Sequence, residues 1–190
     1  MTKRINFVTT NPYKFEVAKK YFEQLPSDKY ELIQYDIETH EVQDESEAEI
    51  ARQSALWVSK ELGELAVASD VGFHINSLGG FPGPYVKYVN QWLHPSDVLN
   101  MLQSHEDRSA YFIDVLALAS PDGNTHIFVV KTPGAIVEAA EVPDTKWTMD
   151  AVFVPDGHAK TLATMDEAEK DAVWSDEAWE QLTNYLERNN

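Results

Sequence analysis

Three glycines and two prolines fall within the six residues Gly79-Gly80-Phe81-Pro82-Gly83-Pro84, and this stretch constrains the chain more than any other. Glycine permits backbone angles and close approaches that a Cβ forbids, whereas proline fixes φ, so the segment reads as a rigid, shaped loop and not as a linker. An apolar run, Leu65-Ala66-Val67-Ala68, precedes it and reads as a buried strand, which puts Asp70 where that strand emerges. Lys87 lies just beyond the loop. A carboxylate at a strand end, a shaped loop and a lysine on its far side suit the binding of a metal-held anion. The plainer alternative for the same residues is a structural turn.

The totals bound what surrounds this loop. With 190 residues the chain is one domain, or one domain with a lobe, and can build a sizeable core. No run reaches the roughly 18 apolar residues of a membrane span, and there is no cysteine for a disulfide, a thiolate nucleophile or a zinc site. A net charge of -17 argues against a nucleic-acid surface, which needs clustered lysine and arginine. Such an acidic chain must gather its few cations locally, or use a divalent metal, to hold a phosphate group. A cytoplasmic setting, without membrane or nucleic-acid partners, is the expectation.

Along the chain, Arg4 to Thr10 reads as a strand, and Asn11-Pro12 as the cap and first residue of a helix running to about Leu25. Lys14 then lies in the first turn, where a cation opposes the helix dipole unless an anion sits there; otherwise it is a solvated surface lysine. Tyr30 to Ile37 is a second strand. Ser46-Glu47-Ala48-Glu49 forms a capping box for a helix with Ile50, Trp57, Val58 and Leu62 on its buried face, ended by Gly63. A short helix follows over 95–103. Arg108–Ala119 and Thr125–Val137 form a hairpin around Pro121-Asp122-Gly123-Asn124, with Pro133-Gly134 bending or ending its second strand. His74, His94, His105, His126 and His158 lack partner spacing and read as surface or hydrogen-bonded residues. Ser175 reads as the N-cap of a last helix with Asp176 and Glu177 in its first turn and Trp179, Leu182 and Leu186 inward.

Leu78 to Lys87, in its order of glycine and proline, resembles the signature loop of the inosine triphosphate pyrophosphatases, and the likeness extends along nearly the whole chain. It implies an α/β fold, a mixed twisted sheet with flanking helices and two lobes around a cleft, within a single domain 1–190. The activity implied is magnesium-dependent hydrolysis of a noncanonical purine nucleoside triphosphate, such as ITP, dITP or XTP, to the monophosphate and pyrophosphate. A homodimer is also implied. Thr9, Asn11 and Lys14 match the family's opening phosphate-binding motif. Glu41, with Glu38 as the near alternative, matches a magnesium-binding glutamate, and Asp70 matches the aspartate that acts at the metal and the attacking water. Lys87 matches a lysine that contacts the substrate; Trp147 matches an aromatic that stacks on the base, with Asp150 and Lys170 beside it.

The departures are as specific as the matches. A family lysine is replaced by Ser54, a second carboxylate by Ser69, and a His-Arg pair that reads the purine 6-oxo group by Ser175 and Asp176. An acceptor at Asp176 implies a pocket that prefers an amino-bearing base. The same losses leave open a nucleotide-binding protein with little turnover, or a pyrophosphatase acting on a modified or pyrimidine triphosphate.

Overall fold

The computed structural model describes residues 2–26, 28–37, 42–142 and 146–189. Of the metal-ligand candidates, Glu41 and its near alternative Glu38 lie outside the described residues, and Asp70 lies within them. In chain order the elements are β1 (Lys3–Val8), α1 (Pro12–Phe22), β2 (Tyr30–Tyr35), α2 (Glu47–Leu62), β3 (Leu65–Ile75), β4 (Pro82–Gly83), α3 (Val86–Trp92), α4 (Pro95–Met101), β5 (Ser109–Ala119), β6 (Thr125–Ile136), α5 (Thr148–Val152), β7 (Phe153–Pro155), α6 (Glu167–Val173) and α7 (Glu177–Arg188). The fold is α/β with a mixed sheet in the order β2-β1-β3-β5-β6-β7, and β4 pairs with β3. β1 runs parallel to β2 and to β3, while β4 on β3 and β7 on β6 are antiparallel. No helix among the described residues is long and apolar enough to cross a membrane.

The chain divides into two compact units. The first comprises residues 1–70, 114–130 and 176–190. Its core gathers Ile5 and Phe7 of β1, Val67 of β3, Leu116 and Leu118 of β5 and Phe128 of β6 against Ala18 and Phe22 of α1 and Trp179, Leu182 and Leu186 of α7. Alternation along β1 sends Ile5 and Phe7 to this side and Asn6 to the other. There Asn6 Nδ2 donates to the Glu64 carboxylate at 3.0 Å and to the Leu65 carbonyl at 3.1 Å, and so is satisfied although buried. α2 packs against β1 through a stripe of small and apolar residues, Ile50, Ala51, Ser54, Ala55 and Val58. Ile50 and Val58 are buried as the sequence reading has them, but Trp57 and Leu62 of that reading are 36% and 37% exposed. At 3.6 residues per turn Trp57 falls at the margin of the stripe, while Leu62 shares its bearing but is the last residue of the helix.

The second unit comprises residues 71–113 and 131–175. Its core is aromatic. Phe73 lies 4.5 Å from Phe112 and 5.2 Å from Phe153 between ring centroids, and Phe112 also meets Trp174 edge-on at 5.1 Å. Ile75, Val98, Leu102, Met149, Val152 and Leu162 complete it.

Four local readings change. α1 ends at Phe22, and a turn carries the chain to Leu25. The capping box is half made: Ser46 Oγ accepts the Glu49 N–H at 3.3 Å, but the Ser46 N–H is already held by Asp44 Oδ1 at 2.9 Å. Glu49 therefore turns to Arg52 and Gln53, which hold its carboxyl well below the usual range. Asp176, not Ser175, is the N-cap residue of α7, and its side chain makes no cap bond; it accepts from Tyr21 Oη at 3.2 Å. Finally, β6 runs straight through Pro133-Gly134 to Ile136, and the hairpin is not at the sheet edge, because β7 pairs beyond it with Gly134 opposite Pro155.

Candidate active site

The site residues of the first unit collect where β1 ends beside the middle of β3; the strand does not emerge at Asp70, as the sequence reading has it, but runs on to Ile75 because it pairs with β4 beyond the reach of β1. The register Val8↔Ala68 brings the turn after β1 alongside Ser69 and Asp70. Thr9 is buried, and its Oγ1 accepts the Asn11 N–H at 3.1 Å. Asn11 Oδ1 in turn accepts the N–H of Tyr13 at 2.9 Å and of Lys14 at 3.5 Å, which caps α1. Gln34 of β2 fixes the same turn by donating to the Thr9 carbonyl at 3.1 Å. Lys14, Ala18 and Tyr21 form one stripe of α1 at helical spacing. Ala18 is fully buried, Lys14 Nζ donates to Ser69 Oγ at 3.3 Å, and Tyr21 meets Asp176. Thr9, Asn11, Lys14 and Asp70 are thus brought to the end of β1. Asp70 is half-buried, with Oδ2 out of solvent.

Sequence reasoning missed Asp114. It lies half-buried in β5, between Ile113 and the fully apolar run Val115–Ala119. Burial pushes its carboxyl up to about 6; the Lys14 charge opposes the shift and Asp176 adds to it. The signal available was its isolation, a single acid in an apolar strand.

This shift has a consequence for stability. The folded chain keeps Asp114 protonated to about pH 6, against an ordinary value of 3.8, so the folded state binds the extra proton between them. Stability therefore falls as pH rises through that window, and the cost is complete above it. Asp114→Asn is expected to be about 2 kcal/mol more stable than the parent at pH 8, with the advantage fading toward pH 4. Urea denaturation at the two pH values measures it.

In the second unit, β4 folds back on β3 and delivers the chain to α3, with Lys87 exposed in its first turn. Trp147 is half exposed at the N-terminus of α5. The Met149 N–H donates to Asn90 Oδ1 at 3.0 Å, and Thr148 Oγ1 donates to the Leu93 carbonyl, so the start of α5 is pinned to the end of α3. Burial raises the Asp150 carboxyl, and the Lys170 ammonium partly restores it, which places these two charges within reach of each other. Ser175 is exposed.

Among the described residues no group of three histidine, aspartate or glutamate side chains is placed to hold a metal by itself. A magnesium ion bound to a polyphosphate needs only one or two protein carboxylates, and a hard oxygen donor such as Asp70 suits it. A cavity of about 180 Å³ in the first unit is lined by Lys3, Tyr30, His126 and Tyr185 and by none of these site residues. Lys3 opens β1, so this cavity lies at the opposite end of the strand from Thr9.

Comparison with known proteins agrees with the fold. The Ham1 protein of Coxiella burnetii superposes with a TM-score of 0.80 at 24% identity, over 98% of this chain and all of that one. The Ham1 protein of Staphylococcus aureus gives 0.79 at 23% identity, over 99% of this chain and 100% of that one. In sequence, the dITP/XTP pyrophosphatase of Thermococcus kodakarensis is 32% identical over 187 residues, spanning 98% of each chain. That of Korarchaeum cryptofilum is 34% identical over 165 residues, 87% of this chain and 85% of its own. Residues 5–185 match the Ham1 family profile. The chain belongs to the Ham1 family and is a hydrolase.

Proposed function

We propose that the chain hydrolyses a noncanonical purine nucleoside triphosphate, such as ITP, dITP or XTP, to the monophosphate and pyrophosphate. The observation that carries this reading is the hydrogen bond from Lys14 Nζ to Ser69 Oγ, which holds an ammonium group beside the residue preceding Asp70. In a chain of net charge -17, a cation fixed on β3 beside the end of β1, one residue along the strand from a half-buried carboxylate, is what a polyphosphate site requires. Thr9 and Asn11 shape the turn that presents the first N–H groups of α1, and Lys14 and Lys87 neutralise the phosphates. Asp70 takes the proton of the attacking water. Asp70, with Glu41, would hold magnesium, which would supply charge neutralisation on the phosphate oxygens. Trp147 offers an indole face for stacking on the base, with Asp150 and Lys170 at its edge and Ser175 and Asp176 contributing polar contacts.

A panel of ribo- and deoxynucleoside triphosphates, assayed for pyrophosphate with magnesium, tests the reading. ITP, dITP or XTP is expected to turn over at least about tenfold faster than ATP. Faster turnover of the adenine triphosphate would instead favour the amino-bearing base that Asp176 implies, and equal turnover of the two would remove base reading at Asp176. Tight binding of ITP without pyrophosphate would leave a nucleotide-binding protein in place of the enzyme.

A further inference from the structure

His74 read as a surface or hydrogen-bonded residue in the sequence, yet the structure makes it the middle of a row crossing four strands of the second unit. Its neighbours Phe73 and Ile75 are fully buried in the aromatic core, so strand alternation turns His74 to the opposite face. There its ring stacks on Tyr111 of β5, with centroids 4.9 Å apart and planes 4° from parallel. Tyr111 is covered in turn by Lys131 of β6, whose Nζ lies 4.1 Å from the ring centroid. Beyond β3 the returning loop closes over the imidazole. His74 pairs with Pro82 and Phe73 with Gly83, and the loop is tied by bonds from the Gly80 N–H to the Ile75 carbonyl at 3.0 Å and from the Ile75 N–H to the Phe81 carbonyl at 3.1 Å. A Cβ on Gly80 would lie 3.2 Å from His74 Nδ1, and one on Gly83 3.7 Å from Cε1. Gly80 also has φ 90°, so a side chain there would meet both the ring and the left-handed backbone.

We infer that His74 is a positioning residue: its ring, held flat by Tyr111 and Lys131, is the platform on which the 79–83 loop lies, and it thereby fixes the start of α3 and Lys87. This rests on the proposed function for its effect on substrate. The platform itself does not. The glycine at 80 is explained by the same contact, because a larger residue would press on the ring, whereas Gly83 is required by its φ of 58°. The platform role asks for a flat ring of this size, which His74→Phe keeps.

The test compares His74→Ala and His74→Phe, both in the full chain. His74→Ala is expected to raise KM for ITP about tenfold with kcat changed less than about threefold, since misplacing a binding group by an ångström weakens binding before chemistry. His74→Phe should restore KM to within about twofold. Amide hydrogen exchange at Gly80 should quicken at least about tenfold in His74→Ala and not in His74→Phe. Unchanged exchange at Gly80 in His74→Ala overturns the platform whether or not the protein turns over nucleotide. Exchange that quickens equally in both variants, or a KM unchanged in His74→Ala, also overturns it. A parent protein that releases no pyrophosphate, with exchange behaving as expected, instead overturns the proposed function alone.

Discussion

Asp70→Asn is expected to lower pyrophosphate release by about 10³-fold or more while the triphosphate still binds within about tenfold of the parent. The substitution keeps size and shape and removes only the charge and the proton-accepting oxygen. Thr9, Asn11 and Lys14 are positioned by bonds that do not involve Asp70, namely Thr9 to Asn11, Asn11 to Tyr13 and Lys14 to Ser69, so the phosphate contacts remain in place. A loss confined to kcat separates a group that acts in the reaction from one that only binds. Stopped-flow release assays with Trp147 fluorescence as the binding signal give both quantities. A fall in binding equal to the fall in rate would assign Asp70 to binding alone.

The second large effect is structural. Gly134→Ala is expected to cost about 3 kcal/mol or more, lowering Tm by roughly 10 °C. A Cβ at this position would lie 2.3 Å from the Val154 carbonyl oxygen and 2.6 Å from two carbons of the Phe153 ring. Neither neighbour can yield cheaply. The carbonyl belongs to β7, which is paired to β6 at this residue, and Phe153 is fully buried with its ring edge-on to Phe73 and Phe112. Ala135→Val on the exposed side of the same strand is the control, expected to change stability by less than about 0.5 kcal/mol. Thermal melts of the two variants decide the matter; a Gly134→Ala protein as stable as its control would show that β6 and β7 separate more easily than their packing implies.

Gly134 also shows where the sequence was readable and where it was not. A glycine beside a proline in an apolar run has two local meanings, a break in the strand or a close approach of another backbone. Choosing between them needs the partner, and β7 comes from about twenty residues further along the chain. Trp57 failed for a related reason: helical spacing fits several stripes of α2, and the small residues Ala51, Ser54 and Ala55 win because they let α2 sit close to β1, while Leu62 is exposed as the last residue of the helix. Features that depend on neighbours in sequence were legible, including the Asn11 cap, the Gly63 stop, the 120–124 turn and the start of β3 at Leu65, but not its continuation through Asp70 to Ile75, which depends on pairing with β4.

The same division holds at the site. Lys14 and Asp70 could be named from motif order, and the structure adds the Ser69 hydroxyl that brings the lysine onto the middle of β3. Asp114 could have been noticed as a lone acid in β5, but its raised pKa depends on burial that no local pattern reports. The His74 stack has no sequence signal at all, since His74, Tyr111 and Lys131 are aligned only by the pairing of distant strands. Asp176 was named as a site residue, and its hydrogen bond to Tyr21 emerges only when α1 and α7 pack together.

The most direct measurement is a ³¹P NMR spectrum of ITP incubated with the protein and magnesium. Resonances of inosine monophosphate and pyrophosphate growing in together, without orthophosphate, are the expected result. Orthophosphate with inosine diphosphate, or an unchanged triphosphate spectrum, would contradict the assignment of Lys14 and Asp70 to cleavage at the α-phosphate.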